Sequence, residues 1–217
     1  MIGMNFLKSI KISITSVGNI SAVALSLSFW LVSRILYDGS YSPFNNWLSD
    51  LGNSSKNPSG HIYLDIGCIL FGFALIIHTI GLVKWKTINH KQNSLIRMSQ
   101  YCGFLMALVV IIVGIVSEDY GIIHYIVAGV YFALISIFMT TINIALKVHT
   151  KYIKWTFYSG IVSIFANLIF MLTFIIGLDI YILEWLAILS ALIWVVSIAY
   201  NALKLEDPVI STIKIQL

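Results

Sequence analysis

Charged residues make up only 10% of this 217-residue chain, against about 25% in an ordinary soluble domain. That scarcity excludes a soluble globular protein. The apolar fraction of 59% exceeds what a core of this size needs, whereas lipid solvates it. Cysteine is scarce too, with only Cys68 and Cys102. They lie near opposite ends of two successive antiparallel stretches, beyond the roughly 7 Å between Cα atoms that a disulfide spans, so no bridge is expected. No small-x-small cleavage site follows the first apolar run, and that run is longer than the 7–15 or so residues of a signal core. An uncleaved first helix is therefore expected. No H-E-x-x-H signature and no recognised nucleophile occur. No apolar stretch carries charge at its middle, which weighs against an ion or proton pathway.

What the chain does have is six charge-free stretches: 12–33, 66–83, 98–117, 120–146, 155–178 and 185–203, each of 18 to 27 residues. A helix needs about 20 apolar residues to cross the roughly 30 Å hydrocarbon core of a bilayer, so each is long enough. With their flanks, they predict spans over 12–36, 62–83, 98–117, 121–146, 155–178 and 182–203. The fold class is an all-α, polytopic six-helix bundle forming one membrane domain over 1–217.

The basic residues segregate. Lys8, Lys11, Lys84, Lys86, Lys91, Arg97, Lys147, Lys151, Lys154, Lys204 and Lys214 fall on one side, which is 11 of the 13 Lys and Arg residues. Under the positive-inside rule both termini are cytoplasmic, in a cell-membrane protein. The net charge of +4 is explained by that topology, and no nucleic-acid partner is expected. Asp38, Asp50, Asp65, Glu118, Asp119, Asp179 and Glu184 fall on the outer side. Trp and Tyr residues mark the span ends, as interfacial anchors do.

The first outer loop, 37–61, is the long one. Ser42-Pro43 is a helix-start signal and Gly52 a stop, with Phe44, Trp47, Leu48 and Leu51 on one face between them. This predicts a short amphipathic helix on the outer leaflet. The stretch 53–60 is turn chemistry, with Ser59 expected to cap the second helix. Asn53-Ser54-Ser55 fits an N-glycosylation acceptor. On the first helix, Gly18, Ala22 and Ser26 form a small-residue stripe suited to close packing. Asn19, Asn143 and Asn167 are expected to hydrogen-bond between helices, and His78 to be structural.

The outer boundary gathers polar groups from several segments. Arg34, Asp38, Ser49, Asp50, His61, Asp65, Glu118, Asp119 and His124 form its polar cluster. Arg34 is placed to pair with Asp38 or with a carboxylate from a neighbouring helix. Asp50, Asp65, Glu118 and His124 are the candidates for general acid–base chemistry. His61, Asp65, Glu118 and His124 are the candidates for a divalent metal, the one cofactor this residue set suits. Against both stands the plain reading that each group merely ends a helix in water.

Asn46-Trp-Leu-Ser-Asp-Leu-Gly52, followed by Gly114-Ile-Val-Ser-Glu-Asp119 and His124, resembles the domain-of-unknown-function family 998. These are multi-pass membrane proteins, mainly archaeal and bacterial. Members often have Pro where this chain has Ser117. The resemblance implies six helices and an outer-face motif pair, and no activity. Two readings follow. The chain recognises a membrane lipid or a protein partner through its outer polar cluster, or it is a membrane-embedded hydrolase or transferase acting on lipid headgroups. An inverted-repeat transporter is disfavoured, since the two halves share no residue-level similarity.

Overall fold

A computed structural model describes residues 13–147, 149 and 152–206. Lys8, Lys11, Lys151 and Lys214, which enter the charge argument, lie outside them. Every charge-free stretch forms a helix: α1 (Ile14–Ile35), α2 (His61–Gly81), α3 (His90–Ile115), α4 (Ile122–Lys147), α5 (Lys154–Ile175) and α6 (Tyr181–Glu206). All six are long and apolar enough to cross a membrane, and no strand occurs among the described residues. The chain is a multi-pass membrane protein.

Local chemistry sets the helix ends. The Ser13 hydroxyl accepts the Ser16 N–H at 3.3 Å and starts α1. The Asn89 side chain accepts the Gln92 N–H at 3.1 Å. This cap starts α3 at His90, well before the apolar run at Met98, so Lys91 and Arg97 ride on a helix rather than in a loop. Ser59 does not cap α2; Gly60 holds that position without a side-chain bond. Both cysteines are free.

The helices form a closed ring. Each packs against its neighbours in the chain, and α6 returns to α1. The small-residue stripe on α1 is buried, and its first member sets the approach of two helices. A Cβ on Gly18 would stand 2.4 Å from the backbone nitrogen of His78, so α1 and α2 touch backbone to backbone. Hydrogen bonds lock the ring elsewhere. Ser16 donates to the Ala199 carbonyl at 2.8 Å, joining α1 to α6. The Trp194 indole donates to Asn143 Oδ1 at 3.2 Å. The Asn167 amide donates to the Ala187 carbonyl at 3.4 Å. Asn143 and Asn167 thus bridge helices as expected. Asn19 does not: both its amide atoms are buried without a partner.

The helix expected over 42–52 is shorter than its signals imply. Only Ser49–Gly52 is helical, as a single 3₁₀ turn, preceded by a turn at 43–45. The cause is tertiary. Leu48 and Leu51 leave the surface and pack with Leu64, Trp30 and Trp185 inside the mouth of the ring. Trp47 packs its ring 4.7 Å from that of Tyr181, while Phe44 stays exposed. A continuous helix cannot serve both directions, so the loop folds inward and caps the bundle.

The α1–α2 contact leads to a stability prediction. Gly18→Val should destabilise the chain by about 1–3 kcal/mol, the range for overpacking a tight contact. Gly129→Ala on α4, where a Cβ meets nothing within 4 Å, should leave it unchanged or slightly more stable. Thermal unfolding of the two purified variants reads the difference, and equal melting would refute the backbone contact.

Candidate functional site

The capping loop is fastened from three sides. On the α1 side, the Asn57 amide, fully buried, donates to the Leu51 carbonyl at 2.9 Å and to the Ser33 hydroxyl at 3.0 Å. On the α6 side, the Glu184 carboxylate accepts the Leu48 N–H at 2.5 Å. The neighbouring Trp185 indole donates to the Asn46 carbonyl at 3.0 Å. On the α3–α4 side, Asp119 accepts the Ser54 N–H at 2.9 Å.

At the centre of these fastenings is an ion triad. Lys56 Nζ lies 2.6 Å from Asp50 Oδ1 and 2.9 Å from Glu118 Oε1. The Asp50 and Glu118 side chains are only 6% and 2% exposed, so the shared ammonium is what makes their burial tolerable. The other oxygen of Asp50 accepts the Trp47 N–H at 3.1 Å and the Asn46 amide at 3.4 Å. Burial pushes Glu118 above the usual carboxylate range, against the pull of Lys56. Burial alone would lower Lys56, but its hydrogen bonds to Asp50 and Glu118 outweigh that and hold it above the usual lysine range.

Arg34, expected to serve these carboxylates, instead lies over the face of Tyr41, 5.4 Å from the ring centre. Asp38 is exposed and stands apart. His61 turns its Nδ1 to the Asn57 and Pro58 carbonyls, each at 3.2 Å. The Asp65 carboxylate lies against Gly52, 3.1 Å from where a Cβ would stand. His124 holds the Val116 carbonyl at 2.7 Å through Nδ1. A carbonyl only accepts, so Nδ1 carries the proton and Nε2 of the neutral ring is an acceptor. Asn53 uses its Oδ1 to accept the Ser55 and Lys56 N–H groups. Among the described residues, no three His, Cys, Asp or Glu side chains converge as a metal ion requires. The four proposed ligands are turned to four different partners.

Two cavities meet beneath the cap. One, of about 110 Å³, runs inside the ring from Ser49, His124 and Glu184 down to Asn19 and His78. The other, about 260 Å³, is a cleft between α4 and α5 walled by Trp47, Phe170 and Phe174. Both are lined by Ser49, His124, Ala128, Phe132 and Glu184. The cleft faces the bundle's periphery, since its rim residues Ile126 and Ile175 are 61% and 75% exposed.

Residues 20–201 match the model of a family described as a protein of unknown function, DUF998. The chain belongs to the DUF998 family. No curated protein and no solved structure matches it. Three residues of this DUF998 chain with central roles in its geometry escape sequence reading. Lys56 and Asn57 sit in a run of turn residues, and Glu184 reads as an ordinary helix-start acid. Their only sequence signal is that Lys56 is the lone Lys or Arg within the loops at this end of the bundle.

Replacing Lys56 by Met should destabilise this DUF998 chain by about 1–3 kcal/mol. That is below the cost of breaking a fully buried pair, because water screens a half-exposed lysine. Adding Glu118→Gln should restore part of the loss. The Lys56 contribution is complete below its ordinary value of 10.5 and is lost only as pH rises through the higher folded value. The gap in melting temperature between variant and wild type should therefore persist from neutral pH to about 10. A gap that closes by mildly alkaline pH would refute the triad.

Proposed function

We propose that this protein recognises a membrane lipid through the capped end of the bundle, with that end at the outer face of the cell membrane and both termini cytoplasmic. The observation that carries this reading is the α4–α5 cleft. It is apolar along its walls, opens where the helices face lipid, and ends at Ser49, His124 and Glu184. Such a shape takes an acyl chain laterally while its polar end meets hydrogen-bonding groups. Asp50 and Glu118 are engaged by Lys56, which supports a role in holding the cap rather than in acid–base chemistry.

One observation favours a second reading, a hydrolase or transferase acting on lipid. His124, held in a single tautomer by Val116, keeps Nε2 as an acceptor on a side chain that lines the same two cavities as the Ser49 hydroxyl. A base and a hydroxyl beside one cleft are the parts an acyl-transfer site requires.

The cleft is tested by filling it. Gly129 lines it, and a Cβ there meets nothing within 4 Å, so Gly129→Phe fills the space with the fold intact. Crosslinking with a photoactivatable phosphatidylcholine should label the peptides of Tyr125 and Phe174, and the variant should lose about tenfold of that labelling, the equivalent of 1.4 kcal/mol. Equal labelling would sink the lipid reading. Lipid turnover by wild type that Ser49→Ala and His124→Ala both abolish would establish the enzyme. For orientation, an impermeant thiol reagent added to intact cells should label Ser55→Cys and not Ile88→Cys. The reverse pattern would invert the topology.

A further inference from the structure

The chamber inside the ring ends in a floor that the protein leaves unserved. Asn19 and His78 are each 1% exposed. Neither amide atom of Asn19 and neither ring nitrogen of His78 has a hydrogen-bond partner. The Thr15 backbone faces the imidazole without reaching hydrogen-bond geometry. The other buried Asn, Gln and His side chains among the described residues each satisfy at least one polar atom. Folded proteins seldom leave such groups orphaned, because their desolvation is uncompensated. Gly18, next to Asn19 in the chain, presses on the His78 backbone, so the two residues sit at the same level of the α1–α2 contact. Both line the chamber.

We propose that the chamber binds a single-chain, uncharged amphiphile, with its hydroxyl or carbonyl end received by Asn19 and His78 and its hydrocarbon chain running back toward the α4–α5 cleft. The length fits a chain. Leu64 and His78 both line the chamber, and 14 residues of helix between them span roughly 21 Å at 1.5 Å each. The width fits one chain only. At the 10–15 Å³ or so that one water centre needs, about 110 Å³ holds roughly seven to eleven groups of that size, too few for a two-chain lipid.

The walls, with Phe71, Leu75, Met106 and Val110 among them, are apolar. The floor offers donors and acceptors of neutral type. No Lys or Arg lines the chamber, and the only carboxylate, Glu184, is at the other end. An anionic end group therefore finds nothing to neutralise it, whereas an alcohol or ketone finds complementary partners. Water alone would serve the floor but would gain nothing from a long apolar wall.

This inference takes only its access route from the cleft reading, through the lining residues the two cavities share. The test uses the full chain in phosphatidylcholine nanodiscs and octanol carrying a chain diazirine as the probe. Crosslinks should map to the Phe71 and Met106 peptides and be outcompeted by octanol but not by octanoate. Asn19→Leu with His78→Phe should melt higher than wild type in the absence of the alcohol, because two orphaned polar groups are gone. It should also lose the octanol-induced rise in melting temperature and about tenfold of the labelling, the size of one or two lost hydrogen bonds. Should that pair not fold, Ala191→Leu narrows the chamber without touching its floor and should reduce labelling likewise. Labelling unchanged by these variants overturns the proposal. Crosslinks confined to Tyr125 and Phe174 overturn it while leaving the cleft reading standing, and crosslinks at neither place defeat both.

Discussion

The capped end depends on one constraint: two carboxylates held at the edge of a low-dielectric region need a cation between them. Asp50 comes from the first loop and Glu118 from the α3–α4 hairpin, and both are nearly sealed from water. Without Lys56 they would repel each other and pull toward solvent, opening the mouth of the ring. With it, each carboxylate becomes a fixed point. Asp50 sets the turn at Trp47 through that residue's N–H, and Trp47 then forms a wall of the cleft. An electrostatic requirement at the surface thereby shapes an apolar space below it.

The sequence made the fold legible because a bilayer imposes a crude and strong rule. Each charge-free stretch became a helix, and the Gly18 stripe marked a close contact, since backbone approach requires small side chains. The capping loop was harder to read. Ser42-Pro43 and the spacing of Trp47, Leu48 and Leu51 are sound helix signals, but burial of Leu48 and Leu51 in the ring's mouth is a long-range event that outweighs local propensity. Arg34 drew attention as a cation beside a helix end, yet Lys56, inside a run of turn residues, makes the ion pairs. Nothing local distinguishes the two, because the choice depends on which helices become neighbours. Of the candidate cluster, Asp50 and Glu118 come together, Asp119 fastens the loop beside them, and His61 and Asp65 face other contacts.

The ring order gives meaning to polar residues that look incidental along the chain. Asn143 ties α4 to α6 and Asn167 ties α5 to α6, so both hold helices together. Asn19 and His78 lie on the inner side of the α1–α2 contact, where Phe138 meets the imidazole edge-on but no polar group hydrogen-bonds either residue. The same residue type thus acts as a strut in one place and as an unserved binding group in another.

The bonds from Leu48 and Asn46 to Glu184 and Trp185 cross 136 and 139 residues. Synthesis proceeds from the N-terminus, so the first loop emerges and waits while five further helices are made. Its latch on α6 does not exist until the last span has been inserted. Seating of the cap is therefore a closing step of biogenesis, and until then the interior of the ring stands open to whatever lipid surrounds it.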